Sequence, residues 1–406
     1  MTTVVIVGGG LAGAKTAEAL REKDFDGNVV LFGAEERLPY ERPPLSKEFL
    51  ARKKKPDEFT VHDTNWYLDH RVDLRPGTPV ERVDAEAKTV VLPDGSTVAY
   101  DTLVLATGSS SRHLDLPGAD AAGVHHLRTL DDARALDEAI ADGGRLAIVG
   151  GGWIGLEVAA TARERGMAVT VAEVESLPLL RALGPDVAQV FANLHRAHDV
   201  DLRTGVQVTE ILTADGRAAG LKFADETTVY ADAVLVAAGA IPDLDLAISA
   251  GVDIDGGGVL VDAGLRSSDP SIYVVGDIAN ATHPILGRRV RTEHWANALN
   301  QPAVAAANIV GEHAEYTNLP YFFTDQYDLG MEYSGLGGAD DRVITRGDLA
   351  KREFVAFWVD AAGHVRAGMQ VNIWDQLDDI KKLIESGSAV DVDRLADAQV
   401  PLASLF

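Results

Sequence analysis

The chain has no cysteine. Without a thiol it can form no structural disulfide, no cysteine-ligated cluster and no thiol nucleophile. It also cannot relay electrons through a redox-active disulfide or a sulfenic acid. Disulfide reductases, thiol peroxidases and cysteine-dependent NADH oxidases are therefore excluded. Basic residues are scarce as well. Thirty-seven Lys and Arg stand against 62 Asp and Glu, for a formal charge of −25. Nucleic acid is not an expected partner, because phosphate binding needs a cationic surface. The acidity itself reads as solubility or adaptation to salt. No long uninterrupted apolar run is present. The most apolar stretch, Leu146 to Ala162, is broken by glycines and by Glu157. It suits a buried strand and helix better than a membrane span. Met1-Thr2-Thr3 leads straight into an apolar strand, which leaves no room for a leader, so a soluble cytoplasmic protein is expected.

What the chain does have is one local pattern written twice. Val4-Val5-Ile6-Val7-Gly8-Gly9-Gly10-Leu11-Ala12-Gly13 returns 142 positions later as Leu146-Ala147-Ile148-Val149-Gly150-Gly151-Gly152-Trp153-Ile154-Gly155. Each is an apolar strand, a glycine-rich turn and the start of a helical pattern. The first glycine (Gly8, Gly150) permits the tight turn. The second (Gly10, Gly152) lets backbone approach a pyrophosphate, and the third (Gly13, Gly155) lets helix and strand pack closely. The amides of the first helical turn, at Leu11 and Ala12 or at Trp153 and Ile154, then face the phosphates along the favourable helix dipole. Two such units imply two dinucleotides, and the commonest reason to hold two is to pass electrons between them. That points to a flavin fed by a nicotinamide.

Downstream acids help to assign the ligands. Ala168 to Glu173 reads as the second strand of the second unit, with a carboxylate placed to accept ribose hydroxyls and repel a 2′-phosphate. Glu175 adds negative charge or is a solvated turn residue, and Arg181 is the nearest following arginine. NADH is thus expected over NADPH. In the first unit Asn28 to Glu36 ends in two acids, of which Glu35 is the expected ribose partner. A second duplication reinforces the first. Asp94 to Gly108 (DGSTVAYDTLVLATG) and Asp225 to Gly239 (DETTVYADAVLVAAG) are both a polar hairpin followed by an apolar strand that ends in glycine. Their offset of 131 residues, against 142 for the turns, requires an insertion in the first unit, and Arg37 to Lys55 is the candidate.

Five further segments carry a family resemblance. Leu38 to Lys47 (LPYERPPLSK), Ala106 to Arg112 (ATGSSSR), Tyr273 to Asp277 (YVVGD), Thr292 to Ala298 (TEHWANA) and Phe323 to Tyr327 (FTDQY) are similar, in order and over essentially the whole chain, to FAD-dependent ferredoxin reductases that serve bacterial oxygenases. The resemblance implies an α/β, glutathione-reductase-like fold of two Rossmann-like dinucleotide-binding domains and a C-terminal α+β domain. The wider group includes apoptosis-inducing factor. On this basis residues 1–112 and 241–316 form an FAD domain, 113–240 an NAD domain and 317–406 the C-terminal domain. Three antiparallel strands (343–347, 354–359 and 364–371) and a helix from Asp375 to Ser386 are expected in the last.

The resemblance also implies roles. Arg42 and Lys47, on a segment stiffened by Pro43-Pro44 that should exclude helix, would offset flavin pyrophosphate and ring charge. Ala106, Thr107, Gly108 and Arg112 form the hinge out of the flavin domain, and Gly239 closes the nicotinamide domain. Gly276 and Asp277 would meet the ribityl chain at a helix N-terminus, although Asp277 alone could be a helix cap. Glu293, His294 and Trp295 lie beside the flavin, with core packing the equal alternative for Trp295. Trp153 either lines the nicotinamide pocket or packs helix on sheet, and Glu157 could bind the carboxamide. Lys47, Trp153, Glu157 and Trp295 are the candidate catalytic residues, and no metal is called for. The implied reaction is hydride transfer from NADH to FAD, then single-electron transfer to a small iron–sulfur protein. Positioning and water exclusion would be the protein's contribution. Arg288, Arg289 and Arg291, with Arg52 to Lys55, are candidate docking cations, or equally solvated charges. Reduction of a quinone or monodehydroascorbate, and a redox sensor resembling apoptosis-inducing factor, are the alternatives.

Overall fold

The computed structural model describes residues 1–140 and 143–406. They form two compact units. One comprises residues 1–41, 56–110 and 241–320, and the other 42–55, 111–240 and 321–406.

The first unit is built on a five-stranded sheet in the order Ile272–Val274, Thr102–Leu105, Thr3–Val7, Asn28–Phe32, Val72–Arg75, with every pairing parallel. Valine, isoleucine and leucine fill both faces because a parallel sheet is covered on both sides. Val4, Val5, Ile6, Leu31, Leu103, Val104 and Leu105 are almost fully buried. The Leu11–Glu22 helix packs against the long Trp295–Ile309 helix. Small buried residues, among them Ala12, Ala17, Ala305 and Ala306, line these helices. A three-stranded antiparallel meander (82–84, 89–91, 97–99) completes the repeat.

The second unit repeats the plan. Asp201–Thr204, Ala168–Glu173, Arg145–Val149, Ala233–Val236 and Val124–His125 lie side by side, all parallel. Its own antiparallel meander spans 208–214, 217–223 and 228–230. Only the fifth strand has a different origin. In the first sheet it comes from chain far downstream, and in the second from just upstream of the glycine turn.

The C-terminal residues form an antiparallel sheet of five strands, ordered Tyr321–Gln326, Leu329–Gly335, Val365–Val371, Glu353–Val359, Arg342–Asp348. The three expected strands are present. Two more, Tyr321–Gln326 and Leu329–Gly335, extend the sheet where polar residues mask strand character. The following helix begins at Leu377, two residues later than expected, because Asp375 holds a left-handed φ of 68°. The Trp153–Glu164 and Pro185–Ala197 helices and this sheet share one core, in which Leu156, Val187, Phe191 and Leu194 meet Met331, Tyr333, Phe354, Trp358 and Met369.

Candidate functional site: two glycine cradles and a buried ion pair

In the first unit Gly8 has φ 127°, and a Cβ there would stand 2.0 Å from the Ala106 carbonyl oxygen. A Cβ on Gly13 would stand 2.0 Å from the Gly8 oxygen, whereas Gly10 faces open space. Gly10 caps the helix without any side-chain bond, and no acid occupies the first turn. The amides at Leu11 and Ala12 are thus left for an external anion. This donor set fits a dinucleotide pyrophosphate.

Around that turn the fold gathers residues from distant segments. Ala106 donates its N–H to the Val7 carbonyl at 2.8 Å. Thr107 Oγ1 donates to the Asp243 carbonyl at 2.7 Å, and the Asp243 N–H to the Gly108 carbonyl at 2.9 Å. Gly276 abuts Ala12, and its N–H donates to Gln301 Oε1 at 2.7 Å. Asp277 is buried and accepts from Ser109 Oγ at 2.9 Å. The expected helix after Asp277 is not there. A single 3-10 turn, Gly276–Ile278, runs straight into the Ala279–His283 strand. His294 caps the next helix, and burial pushes its imidazole down to about 4, with the nearby Asp277 carboxylate opposing. Trp295 Nε1 donates to Glu41 Oε2 at 3.0 Å, and Glu35 Oε2 accepts from Tyr40 Oη at 2.6 Å. Glu293 pairs with Arg291 at 2.8 Å, and Arg291 also reaches the Asp277 carbonyl at 3.4 Å. Arg289 donates to the Val261 and Asn280 carbonyls at 3.0 and 2.8 Å. Arg289 and Arg291 therefore also tie their segment to neighbouring strands and to the Gly276–Ile278 turn of the same unit.

The second unit carries the matching turn. Gly150 has φ 109°, a Cβ on Gly155 would meet the Gly150 oxygen at 2.1 Å, and Gly152 again caps its helix without a side chain. Glu173 receives the Gly151 N–H at 2.7 Å on one oxygen and the Glu175 N–H at 2.8 Å on the other. Glu175 is not an isolated negative charge, because Arg181 Nε bonds it at 2.7 Å. Arg112 donates its N–H to the Gly239 carbonyl at 2.9 Å.

Trp153 packs edge-on against Phe191 and Phe322, with ring centroids 5.7 and 5.0 Å away, so packing is one of its roles. Ile154 is exposed. Glu157, one turn on, is buried and heavily engaged. It accepts from Lys47 Nζ at 3.1 Å, from Thr324 Oγ1 at 2.7 Å and from Ser46 Oγ. Three donors on a carboxylate with about four acceptor positions leave little for a carboxamide. Lys47 also lies 5.3 Å from the Phe323 ring centre, a cation–π distance. The neighbouring Asp325 carboxyl is pushed up by burial, with Lys47 opposing and Glu157, Glu48 and Glu332 reinforcing. The Pro43-Pro44 segment does contain helix, since Pro43–Leu45 form a 3-10 turn with the prolines at its start. A fixed φ near −65° suits the first turn of a helix, which is the one place the sequence expectation overlooked. Arg42 Nη1 donates to the Arg128 carbonyl. Arg52, Lys53 and Lys54 pair with Asp137, Glu164 and Glu48.

Sequence reasoning missed Glu41, Ser46, Ser109, His195, Gln301, Thr324 and Gln326 as polar partners. Alternation offered a signal for two of them, because Thr324 and Gln326 fall on one face of a strand and that face is buried. Among the described residues no helix is long and apolar enough to cross a membrane, and no group of three or more His, Asp or Glu could hold a metal ion.

Two Rossmann-like sheets with cap-free glycine turns, joined to a C-terminal antiparallel sheet, define a pyridine-nucleotide flavoprotein of the glutathione-reductase type. Comparison with known proteins agrees. The pyridine nucleotide-disulphide oxidoreductase model matches residues 2–302 and a reductase C-terminal model matches residues 321–406. The ferredoxin–NAD(+) reductase component of the anthranilate 1,2-dioxygenase system of Burkholderia cepacia is 42% identical over 405 residues, covering 99% of this chain and 98% of that protein. The covalent putidaredoxin reductase–putidaredoxin complex contains a chain that superposes with a TM-score of 0.95 at 35% identity, covering 99% of this chain and 97% of that one. A ferredoxin reductase from Rhodopseudomonas palustris gives 0.94 at 33% identity, over 100% and 99%. The chain belongs to the pyridine nucleotide-disulphide oxidoreductase family, and it is an oxidoreductase that uses a flavin and a nicotinamide nucleotide. The resemblance read from the five segments and the expected fold class are borne out.

Proposed function

We propose that this protein passes electrons from NADH through FAD to a small ferredoxin that supplies an oxygenase. One observation carries the reading. The chain has two complete dinucleotide turns and no cysteine, so electrons cannot rest on a thiol and must leave for an external carrier. The names of the similar proteins above support a ferredoxin as that carrier.

When bound, the flavin supplies the chemistry of accepting a hydride and releasing electrons singly. The unit of residues 1–41, 56–110 and 241–320 would hold FAD rather than FMN, because its turn is built for a pyrophosphate. Gly8, Gly10, Leu11, Ala12 and Gly13 would take the phosphates and Glu35 the ribose. Ala106, Thr107, Gly108, Gly276, Asp277, Glu293, His294 and Trp295 would line the remainder. Residues 111–240 would hold NADH through Gly150, Gly152, Trp153, Ile154, Gly155, Glu173 and Gly239. Arg42, Arg112 and Lys47 would offset cofactor charge, and Glu157 would hold the Lys47 ammonium in place. The Arg288–Arg291 segment would help receive the acidic partner, and the protein would work in the cytoplasm, where NADH is replenished.

The test is a stopped-flow record. Protein reduced by one equivalent of NADH is mixed with oxidised ferredoxins from oxygenase systems, and separately with quinones. Rapid reoxidation by a ferredoxin and slow reoxidation by quinones supports the reading. A colourless protein that takes up no FAD, or faster reoxidation by quinones than by every ferredoxin, overturns it.

A further inference from the structure

Glu157 sits at one end of a buried line of hydrogen bonds that extends well beyond Lys47. Thr324 Oγ1 lies 2.7 Å from Glu157 Oε1, Gln326 Nε2 lies 3.2 Å from Thr324 Oγ1, and His195 Nε2 lies 2.8 Å from Gln326 Oε1. Thr324, Gln326 and His195 are all at most 1% exposed.

The direction of every bond follows from chemistry. An ionised carboxylate only accepts, so Thr324 must donate its single hydroxyl proton to Glu157. Thr324 can then only accept from Gln326, which fixes the amide with its nitrogen toward Thr324 and its oxygen toward His195. His195 must therefore donate from Nε2. Its Nδ1 is then the unprotonated nitrogen, and that atom is buried without a partner. A neutral imidazole is what the site favours, since burial pushes His195 down to about 4. The result is three donors in series, all aimed at one carboxylate. Such a chain polarises cooperatively in a low-dielectric interior.

The chain also joins three parts of the fold. Glu157 belongs to the helix that opens at the second glycine turn, His195 to the Pro185–Ala197 helix, and Thr324 and Gln326 to the first strand of the C-terminal sheet. Thr161, one turn beyond Glu157, receives the other side of the arrangement by donating to the Ser46 carbonyl at 3.0 Å. Lys47 from the 42–55 segment pairs with Glu157, and Asp325 from the sheet is a second charged neighbour, itself flanked by Lys47, Glu48 and Glu332.

We propose that His195, Gln326 and Thr324 form an aligned donor chain that positions the Glu157 carboxylate, and through it the Lys47 ammonium, for flavin reduction. They are positioning residues and touch no substrate. The proposal rests on the reading that Lys47 serves the flavin.

The test uses the FAD-loaded protein and four variants: Thr324→Val, Thr324→Ser, Gln326→Leu and Lys47→Ala. Thr324→Val keeps shape and removes the donor. Flavin bleaching by saturating NADH is expected to slow about tenfold, the scale of one hydrogen bond to a charged group, while half-saturation by NADH changes less than twofold. The flavin midpoint potential, measured by dye equilibration without turnover, is expected to become more negative, because Lys47 is less firmly held against reduced-flavin charge. Thr324→Ser restores both, and Gln326→Leu lies between. A normal rate and potential in Thr324→Val beside a severely slowed Lys47→Ala overturns the donor chain alone. Normal behaviour of both overturns it together with the reading of Lys47. A lowered melting temperature with an unchanged potential, equal in the Val and Ser variants, makes Thr324 merely structural and also overturns the proposal.

Discussion

His195 makes the protein's stability depend on acid in a way that can be sized. Its imidazole is fully buried, and burial pushes it from the usual 6.5 down to about 4. The depression means that, as pH falls, the unfolded chain takes up this proton before the folded chain does. The stabilising difference is complete above about pH 6.5, is lost progressively between 6.5 and 4, and is gone below that window. A gap of about 2.5 pH units corresponds to roughly 3 kcal/mol, of which about 2 kcal/mol is lost by pH 5. The perturbation is His195→Gln, whose amide can still donate to Gln326 but does not titrate. His294, also pushed to about 4, and His125, His126 and His283, all lowered by burial, remain in both proteins and cancel in the comparison. Urea unfolding followed by tryptophan fluorescence, in steps from pH 7 to 4.5, reads the effect. The wild type should lose about 2 kcal/mol more than the variant between pH 7 and 5. Parallel losses in the two proteins would show that His195 is already accessible to protons in the folded state, and the argument from burial would fail.

Nicotinamide choice is expected to rest mainly on Glu173, since Glu175 is tied to Arg181. Wild-type kcat/KM should favour NADH about 10–100-fold. Glu175→Ala should narrow that gap by freeing Arg181, and adding Arg181→Ala should reopen it; equal use of both nucleotides by the wild type contradicts the assignment. The two glycine turns should fail separately. Gly13→Ala, with its Cβ 2.0 Å from the Gly8 oxygen, should give protein depleted of flavin. Gly155→Ala, 2.1 Å from the Gly150 oxygen, should stay yellow and raise KM for NADH at least about tenfold. A Gly155→Ala protein with normal NADH kinetics refutes the placement of the nucleotide. Exchanging Arg288, Arg289 and Arg291 for Gln should lower ferredoxin-dependent turnover and flatten its salt dependence, while NADH-to-ferricyanide activity persists. Because Arg289 holds two carbonyls of its own unit, the melting temperature must be measured alongside, and unchanged turnover at low salt removes the segment from the docking surface.

The elements that were legible in the sequence are those set by local rules. Apolar parallel strands followed by glycine turns announce themselves, because strand burial and turn sterics leave few residue choices. The paired hairpins at Asp94 and Asp225 were visible for the same reason. Part of what escaped was set by partners distant in sequence. Tyr321–Gln326 is a strand whose buried face carries Thr324 and Gln326, so its pattern looks polar until Glu157 and His195 are seen to satisfy it. Arg181 reads only as the nearest following arginine, because no pattern in the six-residue stretch announces that it folds back on Glu175. Pro43-Pro44 was read as a barrier to helix, although prolines at the start of a turn help to form one. For Trp153, sequence left packing and cofactor contact level, and the neighbouring Phe191 and Phe322 rings establish the packing.

The placement of residues 42–55 has a practical consequence for building hybrids of such reductases. This peptide lies, in chain order, inside the half that begins the protein, yet it is part of the other compact unit. Leu50 joins the core that contains Leu136, Ile148 and Val158, and Ser46 and Lys47 are tied to Glu157. A graft that exchanges only residues 111–240 leaves the native Lys47 against a foreign carboxylate. The heritable module is instead three stretches of one gene, 42–55, 111–240 and 321–406. Recombination is expected to preserve function when all three travel together, and a single crossover cannot achieve that.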